Sequence, residues 1–391
     1  MLNLPIYLDN NATTQMDEKV WEAMNPFFIK HFGNASSRSH AFGWEAQEAV
    51  DIAREQVSKL INCEPKEIIF TSGATESCNL ALKGVFEMYA SKGNHIITAT
   101  TEHNAVLDSC QHIEKMGGEV TYLNVDPDGL INLKELENAI TPQTILVSIM
   151  YANNETGVIQ PIKQIGEIAK KHGVLFFTDA TQAAGKITLN VLDEFIDLMA
   201  FSAHKMYGPK GVGALYVRRK NPRVRLTAQL DGGGHERDMR SGTLNVPGIV
   251  GFGEACQLCR ISVEAESVRI KKLRDILENE LLLLEGVSWN GSRENRLPNV
   301  SNLSFNKTDG DNLLIELSKD IALSSGSACS SASPEPSHVL IGMGLTEDSA
   351  RSAIRFSLGR FTEQTEIDYV ITCVKEALLK IKNNIILEGG Q

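Results

Sequence analysis

Short apolar segments alternate with longer amphipathic segments along the first half of the chain. The apolar segments fall at residues 67–71, 95–99, 120–123, 144–150, 174–177 and 198–201. Their length and composition are typical of buried strands, whereas the segments between them carry apolar residues at helical spacing. Strands that alternate with helices form βαβ crossovers. The pattern therefore predicts an α/β fold, with a mainly parallel sheet covered by helices on both faces.

The second half of the chain has a different pattern. Residues 212–217 are predicted to turn back as an edge strand, and a long helix over residues 248–285 leads into the rest of the chain. The remainder mixes strands and helices without regular alternation, which indicates a smaller α+β unit. We therefore predict a large domain over residues 16–259 and a small domain formed by residues 1–15 and 260–391.

Polar or small residues stand just past the ends of several predicted strands. They are Gly73, His103, Asn154, Asp179 and Lys205. Taken singly, each has an ordinary explanation as part of a turn or a helix cap. The carboxyl ends of parallel strands, however, share one edge of a sheet, so these residues can converge. The pattern predicts a ligand site at that edge.

Lys205 comes shortly after the apolar strand at residues 198–201. A lysine at a strand end can snorkel, which keeps its ammonium in water. A lysine that forms a Schiff base must instead lose its proton to act as a nucleophile. Burying an ammonium is unfavourable unless the group has a function. The other polar residues at strand ends therefore favour the Schiff-base interpretation. Asp179 also ends a fully apolar strand, where an ionised carboxylate needs a cationic partner.

The junction at residues 71–77 combines a strand, a turn of small residues and the N-terminus of a helix. Free backbone N–H groups and the helix dipole there favour an anion such as phosphate, and Thr75 adds a hydroxyl. The alternative is an ordinary strand–helix turn with a capping residue. The polar stretch at residues 9–14 has two interpretations, an ordinary polar turn and part of a ligand site. The glycines of residues 231–237 indicate backbone close to a ligand or partner chain, or a flexible loop.

Composition narrows the classes of function. The 391-residue chain has a net charge of −11, which disfavours nucleic acid as the main partner, because a phosphate backbone requires a basic surface. No apolar run approaches the roughly 20 residues of a membrane span, and the N-terminus has no signal-like segment. The seven cysteines are scattered and odd in number, which indicates a reducing, cytoplasmic compartment. Cys256 and Cys259 form one CxxC within a predicted helix, and no firm metal site is predicted.

A second candidate centre lies far down the chain, at residues 324–337. This segment is small and polar and contains one cysteine, Cys329. A segment that buries little apolar surface is expected to be mobile, and a thiol on such a loop oxidises unless its reactivity is used. The alternative is an incidental surface thiol. Arg355 stands within a predicted strand, where a part-buried guanidinium requires a carboxylate from the protein or from a substrate.

Together these groups describe a site for pyridoxal 5′-phosphate (PLP). Lys205 is the Schiff-base lysine, and Asp179 keeps the pyridine nitrogen protonated, so that the ring draws electrons from the Cα of a substrate. His103 stacks on the ring, and Arg355 binds the α-carboxylate of an amino acid. The phosphate is held by Thr75, Ser202 and His204.

At these residues the sequence resembles the PLP-dependent cysteine desulfurases of the NifS/IscS type, within the aminotransferase class V family. The matching segments span nearly the whole chain in order: residues 7–14, 33–43, 71–77, 101–104, 153–157, 179–182, 202–205, 232–243, 324–337 and 354–361. The resemblance implies the type I fold of PLP-dependent transferases. It also implies a homodimer with its cofactor sites near the subunit interface.

The resemblance further implies roles for individual residues. The implied cofactor contacts are Ala74, Thr75, His103, Asn154, Asp179, Gln182, Ser202, His204 and Lys205, together with Thr243 from the other subunit. The implied substrate contacts are Asn11, Asn154 and Arg355. The implied catalytic residues are Lys205, His103 and Cys329, and Cys329 is also implied as a transient iron–sulfur ligand.

The implied reaction removes sulfur from L-cysteine. Lys205 removes the Cα proton, and the Cys329 thiolate attacks the substrate sulfur. Alanine leaves, and the persulfide on Cys329 passes to an acceptor such as an iron–sulfur scaffold protein. A selenocysteine lyase or a class V aminotransferase is the alternative, although transamination needs no cysteine loop. A third possibility is an inactive scaffold on the same fold. The argument against it is the presence of Lys205, Asp179, His103 and Cys329.

The sequence departs from the family at a few positions. Phe177 stands where close members have a His, with no expected loss of chemistry. Asp231 and Asp238 stand where His and Gly are usual and are expected to alter the local electrostatics. The chain ends at Gln391, without the longer tail by which housekeeping members help to dock the scaffold protein, and this favours a NifS-like arrangement.

Overall fold

The structure is a computed structural model that describes residues 2–306, 308–325 and 335–388. Cys329, with most of the predicted cysteine loop, lies outside the described residues. The α-helices are α1 (Glu18–Met24), α2 (Pro26–Ile29), α3 (Ala41–Leu60), α4 (Ala74–Met88), α5 (Asn104–Lys115), α6 (Leu133–Ala139), α7 (Ile162–His172), α8 (Val246–Leu281), α9 (Gly310–Leu317), α10 (His338–Gly342), α11 (Glu347–Arg351) and α12 (Gln364–Glu388). The strands are β1 (Ile6–Tyr7), β2 (Ile68–Thr71), β3 (His95–Ala99), β4 (Glu119–Leu123), β5 (Thr144–Ser148), β6 (Leu175–Asp179), β7 (Leu198–Ser202), β8 (Gly213–Val217), β9 (Val287–Trp289), β10 (Val300–Phe305), β11 (Ile321–Ala322), β12 (Ser324–Ser325) and β13 (Ala353–Ser357).

A seven-stranded sheet, in the order β2-β8-β7-β6-β5-β3-β4, forms the centre of the fold. The five strands from β4 to β7 in this order are parallel, and β8 is antiparallel to both of its neighbours. The predicted α/β class and mainly parallel sheet are confirmed. The prediction of an edge strand at residues 212–217 is wrong, because β2 pairs with the outer side of β8 and takes the edge position.

Helices on both faces of the sheet explain its continuous apolar strands. In β7, Leu198 and Ala200 pack into one core cluster, and Met199 and Phe201 pack into the other. The first of these clusters includes residues of α4 and α5, and the second includes residues of α3, α7 and α8. Since both faces are covered, successive side chains are apolar whichever way they point.

The remainder of the chain forms a smaller antiparallel unit. Its four-stranded sheet has the order β12-β13-β10-β9, and β1 pairs with β11 beside it. Ile6 and Leu8 pack in one cluster with Leu277 and Phe356, which brings the two ends of the chain together. The exact domain division at residues 15 and 259 stays a prediction, because α8 runs through residue 259 without a break. Within the described residues, no helix has both the length and the apolarity to cross a membrane.

The glycine-rich segment is tied to the large sheet by a buried ion pair. Glu236 accepts two hydrogen bonds from the Arg54 guanidinium, at 2.7 and 2.8 Å, and a third from the Phe70 N–H at 2.8 Å. Removing one partner of such a buried pair typically costs about 3–5 kcal/mol. The turn at Glu236 is therefore anchored beside β2, and the flexible-loop interpretation does not hold there.

Candidate active site

A cavity of about 430 Å³ opens at the carboxyl edge of the large sheet. The strand-end residues Gly73, His103, Asn154, Asp179 and Lys205 all line it. They come together because β2 and the parallel strands all end at this edge, although their loops are distant in sequence. A larger hollow of about 630 Å³ lies at the opposite edge, where β5 and β6 begin. None of these residues lines it, so the smaller cavity is the candidate active site.

A turn of 3-10 helix follows β7 and directs Lys205 towards the N-terminal segment. The Lys205 Nζ donates to the main-chain oxygens of Asn11 and Ala12, each at 2.6 Å. Thr14 strengthens this junction, because its N–H and its hydroxyl both donate to the His204 carbonyl, at 2.9 and 3.0 Å. The amine is thereby held in one position at the cavity wall. The segment at residues 9–14 thus supplies both a turn and part of the site.

The junction between β2 and α4 presents backbone N–H groups to the cavity. Gly73 caps α4 with a φ of 156°, a backbone conformation that favours glycine. The N–H of Ser77 makes a helical bond to the Gly73 carbonyl at 3.1 Å, so the N–H groups before it are directed out of the helix end. Ser202 and His204 line the cavity beside them. Such an arrangement suits a phosphate group.

Lysine side chains, and not the nearby histidine, supply the positive charge at the end of the cavity next to α4. Burial, with a further effect from the neighbouring Lys205 cation, lowers the pKa of His204 to about 4, so its imidazole is neutral at pH 7. The His204 Nδ1 lies 3.1 Å from the Thr13 hydroxyl. Lys210 also lines the cavity. Sequence reasoning missed Lys210, because a lysine in a Pro-Lys-Gly turn looks like any surface lysine.

Asp179 is the last residue of β6 and is only 7% exposed. Its Oδ1 accepts a hydrogen bond from the Thr181 N–H at 2.9 Å, and its Oδ2 lies 3.9 Å from the Cys78 sulfur. Neither partner is cationic, and no lysine, arginine or histidine within the described residues forms an ion pair with this carboxylate. A carboxylate so buried requires a positive charge nearby. The protonated ring nitrogen of a bound ligand fits this requirement.

The other predicted cofactor contacts are distributed around the same cavity. His103 caps α5, and its Nδ1 accepts a hydrogen bond from the Ala105 N–H at 3.0 Å, which orients the ring. Gln182 donates to the Asn11 carbonyl at 3.0 Å. Thr243 does not line the cavity of its own chain within the described residues, and its predicted action on a partner subunit stays a prediction. Further predicted contacts that line the cavity are Ala74, Thr75 and Asn154.

Arg355 lies in β13 and is almost fully buried, with 1% of its surface exposed. Its guanidinium donates to Asp9 Oδ1 at 2.7 Å and to the Asn154 carbonyl at 3.0 Å. The ion pair with Asp9 is the first of the two alternatives that the sequence allows for Arg355, a carboxylate supplied by the protein. The substrate role of Arg355 stays a prediction. Asn11 lines the cavity and donates from its side chain to the same Asn154 carbonyl at 3.0 Å.

Glu155 ties the C-terminal end of the predicted cysteine loop to the site. Its buried carboxylate accepts a hydrogen bond from the hydroxyl of Ser337, the residue that caps α10. The His338 Nε2 lies 3.0 Å from the Glu102 carbonyl, which adds a second contact. Burial raises the pKa of Glu155 to about 7. Sequence reasoning missed Glu155, because it stands in a polar turn where carboxylates are common.

The CxxC pair lies in the buried face of α8. The Cys256 sulfur lies 3.7 Å from the Met206 sulfur, and the Cys259 sulfur lies 3.7 Å from the Met206 carbonyl. Burial raises the pKa of Cys256 well above its usual range and that of Cys259 to about 11. Both thiols are therefore unreactive packing groups. Over the described part of the chain, no cluster of three His, Cys, Asp or Glu side chains is arranged to hold a metal ion.

Comparison with known proteins shows close relatives by sequence. Residues 6–370 match the aminotransferase class-V family. The cysteine desulfurase IscS of Anaeromyxobacter sp. (strain Fw109-5) is 56% identical over 382 residues, which cover 97% of this chain and 94% of that protein. The cysteine desulfurase IscS of Klebsiella pneumoniae (strain 342) is 54% identical over 384 residues, which cover 98% of this chain and 95% of that protein.

Solved structures share the fold. A NifS-like protein matches with a TM-score of 0.90 and 39% identity, covering 96% of this chain and 99% of its own. A structure described as SspA in complex with cysteine matches with a TM-score of 0.80 and 37% identity, covering 92% of this chain and 100% of its own. The architecture is thus the type I fold of PLP-dependent transferases, as predicted. The chain belongs to the aminotransferase class V family and, within it, to the PLP-dependent cysteine desulfurases of the NifS/IscS type.

Proposed function

We propose that this enzyme takes sulfur from L-cysteine, releases L-alanine and retains the sulfur as a persulfide on Cys329. One observation carries the proposal. A single cavity holds both the amine of Lys205, fixed by two carbonyls, and the buried carboxylate of Asp179, which has no ion-pair partner among the described residues. An amine and a carboxylate so placed fit the aldehyde carbon and the ring nitrogen of PLP.

The remaining residues of the cavity fit the other parts of PLP. The N–H groups at the start of α4, with Thr75, Ser202 and His204, would hold the phosphate. His103 would lie against the face of the ring, and Asn154 and Gln182 would contact its edge. Bound there, PLP supplies an electron-withdrawing ring that stabilises negative charge at the Cα of an amino acid.

The substrate carboxylate is assigned to Arg355 and Asn11, with Asn154 beside them. Arg355 is already held by Asp9 and by the Asn154 carbonyl, so little conformational freedom is lost when it binds a carboxylate. The removal of the Cα proton is assigned to Lys205. Its Nζ is fixed by the carbonyls of Asn11 and Ala12, and a proton carrier in a fixed position is more effective than a mobile one.

We assign the role of sulfur acceptor to Cys329, because this role requires a thiol that can ionise. A thiolate is the nucleophile, and burial disfavours a thiolate. Burial raises the pKa of Cys110 to about 12 and that of Cys78 well above its usual range, and it also raises the pKa of Cys63 and Cys373. The two cysteines of α8 are buried as well. Cys329, in a segment of small polar residues, is the remaining cysteine of the seven.

The proposed transfer balances without an external oxidant. The Cys329 thiolate attacks the sulfur of the bound cysteine, and an S–S bond forms as the C–S bond breaks. The electron pair of the C–S bond remains with the substrate carbon, which takes up a proton and becomes the methyl group of alanine. The transferred sulfur is thereby oxidised to the persulfide level, while the carbon is reduced.

Equal amounts of alanine and protein persulfide are expected when the PLP-loaded enzyme meets L-cysteine in the absence of a reductant. Alanine is measured by amino-acid analysis, and the persulfide by the mass of the peptide that contains Cys329. L-Serine, in which oxygen replaces the sulfur, is the matched control and should yield no alanine. A class V aminotransferase would form a keto acid and no persulfide, and a selenocysteine lyase would form alanine from selenocysteine alone. Either result would contradict the proposal.

We further propose a cytoplasmic homodimer that passes its sulfur to an iron–sulfur scaffold protein. Large aromatic side chains are exposed on α1, on and just after α2, and at the start of α3, which supports an association surface: Trp21, Phe28, Phe32, Phe42 and Trp44. Free cysteines in the described part of the chain fit a reducing compartment. In the dimer, Thr243 of one subunit would contact the phosphate held by the other. Sedimentation equilibrium should give a mass of two 42.9 kDa chains, and the mass of one chain would contradict this arrangement.

A further inference from the structure

Lys186 is a buried amine close to the proposed cofactor lysine. It lies in the turn after β6, and 9% of its surface is exposed. Its Nζ donates to Asn11 Oδ1 at 2.9 Å and to Gln182 Oε1 at 2.7 Å. No carboxylate in the described residues forms an ion pair with it. Burying a lysine amine in this way is unfavourable, so the position calls for a role.

Asn11 connects Lys186 to Lys205. Its side-chain oxygen accepts from Lys186 and, at 3.0 Å, from the Asn299 side chain. Its main-chain oxygen accepts from Lys205 at 2.6 Å and from the Gln182 side chain at 3.0 Å. Lys186, Gln182 and Asn11 thus form a closed ring of hydrogen bonds. A change at Lys186 would remove one hydrogen bond from each of the two side-chain amides, so the Asn11 carbonyl would be held less firmly.

We propose that Lys186 is a positioning residue for Lys205: its two hydrogen bonds hold Asn11 and Gln182, and through them the carbonyl that fixes the Lys205 amine. This inference rests on the proposed attachment of PLP at Lys205. Lys186 does not line the cavity within the described residues, so it acts through its neighbours and not on the substrate.

Burial and the charges around Lys186 disfavour the charged form of its amine. The titratable groups that interact with it are Lys205, Arg355, Cys259 and His204. Burial, followed by the cations of Lys205 and Arg355, lowers the pKa of Lys186 well below its usual range. The Arg355 charge is matched by Asp9, and the Cys259 thiol and the His204 ring are neutral at pH 7. A neutral amine has two N–H bonds, and Lys186 has two acceptors for them.

The test follows the absorbance of PLP in the holoenzyme across pH, which reports the protonation of the nitrogen that Lys205 contributes. Lys186→Met keeps the volume and donates nothing. With the Asn11 carbonyl held less firmly, its hydrogen bond to the protonated form is lost, so the midpoint should move to lower pH by about one unit. The kcat for cysteine should fall about tenfold with little change in KM, because the amine is misplaced while the substrate contacts remain.

Two further variants serve as controls. Lys186→Gln supplies neutral N–H donors without a charge, and its midpoint should lie near that of the wild type. Lys170→Met removes an exposed lysine that lies over the Phe195 ring, and it should change nothing. An unchanged midpoint in a Lys186→Met variant that binds PLP would overturn the inference. A midpoint at higher pH would also overturn it, because Lys186 would then be a repelling cation.

The inference remains testable if Lys186→Met does not fold. In that case Lys186→Arg, which adds a permanent charge, should move the midpoint to lower pH, while Lys186→Gln should not. A higher midpoint in Lys186→Gln would then overturn the inference. A wild-type enzyme whose PLP absorbance does not respond to pH at all would contradict the proposed attachment at Lys205, which separates that failure from a failure of the inference.

Discussion

Replacing Lys205 with alanine is expected to abolish the covalent attachment of PLP and to lower alanine formation from L-cysteine by about a thousandfold or more. The variant loses both the anchor of the cofactor and the carrier of the Cα proton, and general acid–base groups alone contribute about 10²–10⁴-fold to a rate. Absorbance after borohydride reduction of the imine and gel filtration in denaturant measures the attachment, and amino-acid analysis measures the product.

Two control variants separate chemistry from structure in this experiment. Lys205→Arg keeps a cationic donor for the carbonyls of Asn11 and Ala12 but has no nucleophilic amine, so it should fold normally and remain inactive. Lys59→Ala removes an exposed lysine that pairs with Glu55, and it should behave as the wild type. PLP that stays bound to Lys205→Ala in denaturant would show that another residue anchors the cofactor.

Replacing Cys329 with alanine is expected to leave PLP bound and to lower alanine formation from L-cysteine by about a thousandfold or more, the scale seen when an enzyme loses its nucleophile. Cys78 and Cys256 are not expected to substitute for it, because burial raises the pKa of both thiols well above the usual range. The absorbance of PLP should be that of the wild type. Protein persulfide should be undetectable by mass spectrometry.

Cys373 provides the matched control for this variant. It is a free, partly exposed cysteine on α12, so Cys373→Ala removes one thiol without touching the cavity. Its alanine and persulfide yields should equal those of the wild type. Persulfide found on a different cysteine of the Cys329→Ala enzyme, with alanine formation intact, would transfer the nucleophile role to that residue.

The convergence of strand-end residues was predictable from sequence because it follows from a general property of parallel sheets. Gly73, His103 and Lys205 are far apart in the chain, yet each follows a strand that ends at the same edge. Strand order was less accessible. The apolar residues of β8 show that it is buried, but they do not show which strands lie beside it, and its interior position became clear only from its pairing with β2.

The hydrogen-bonded ring at Lys186 was not predictable from sequence. Lys186 follows a run of small apolar residues, and Asn11 stands in a polar turn where amides are common. Nothing in either local pattern indicates the other, because the two residues meet only when the segment after β1 lies against the turn after β6. The same holds for Glu155 and Ser337, which are joined across the two parts of the fold.

Periodicity and residue chemistry are local properties, and they were enough to predict the α/β class, the edge of the sheet where the site lies, the chemical types of the groups there and the PLP that those groups fit. The resemblance to a known family added the reaction. Which groups are partners became clear only from the folded chain: Arg355 pairs with Asp9, Asp179 faces the cavity without an ion-pair partner among the described residues, and Lys186 holds Asn11. Hydrogen bonds and ion pairs depend on distances between segments remote in sequence, and those distances are set by packing.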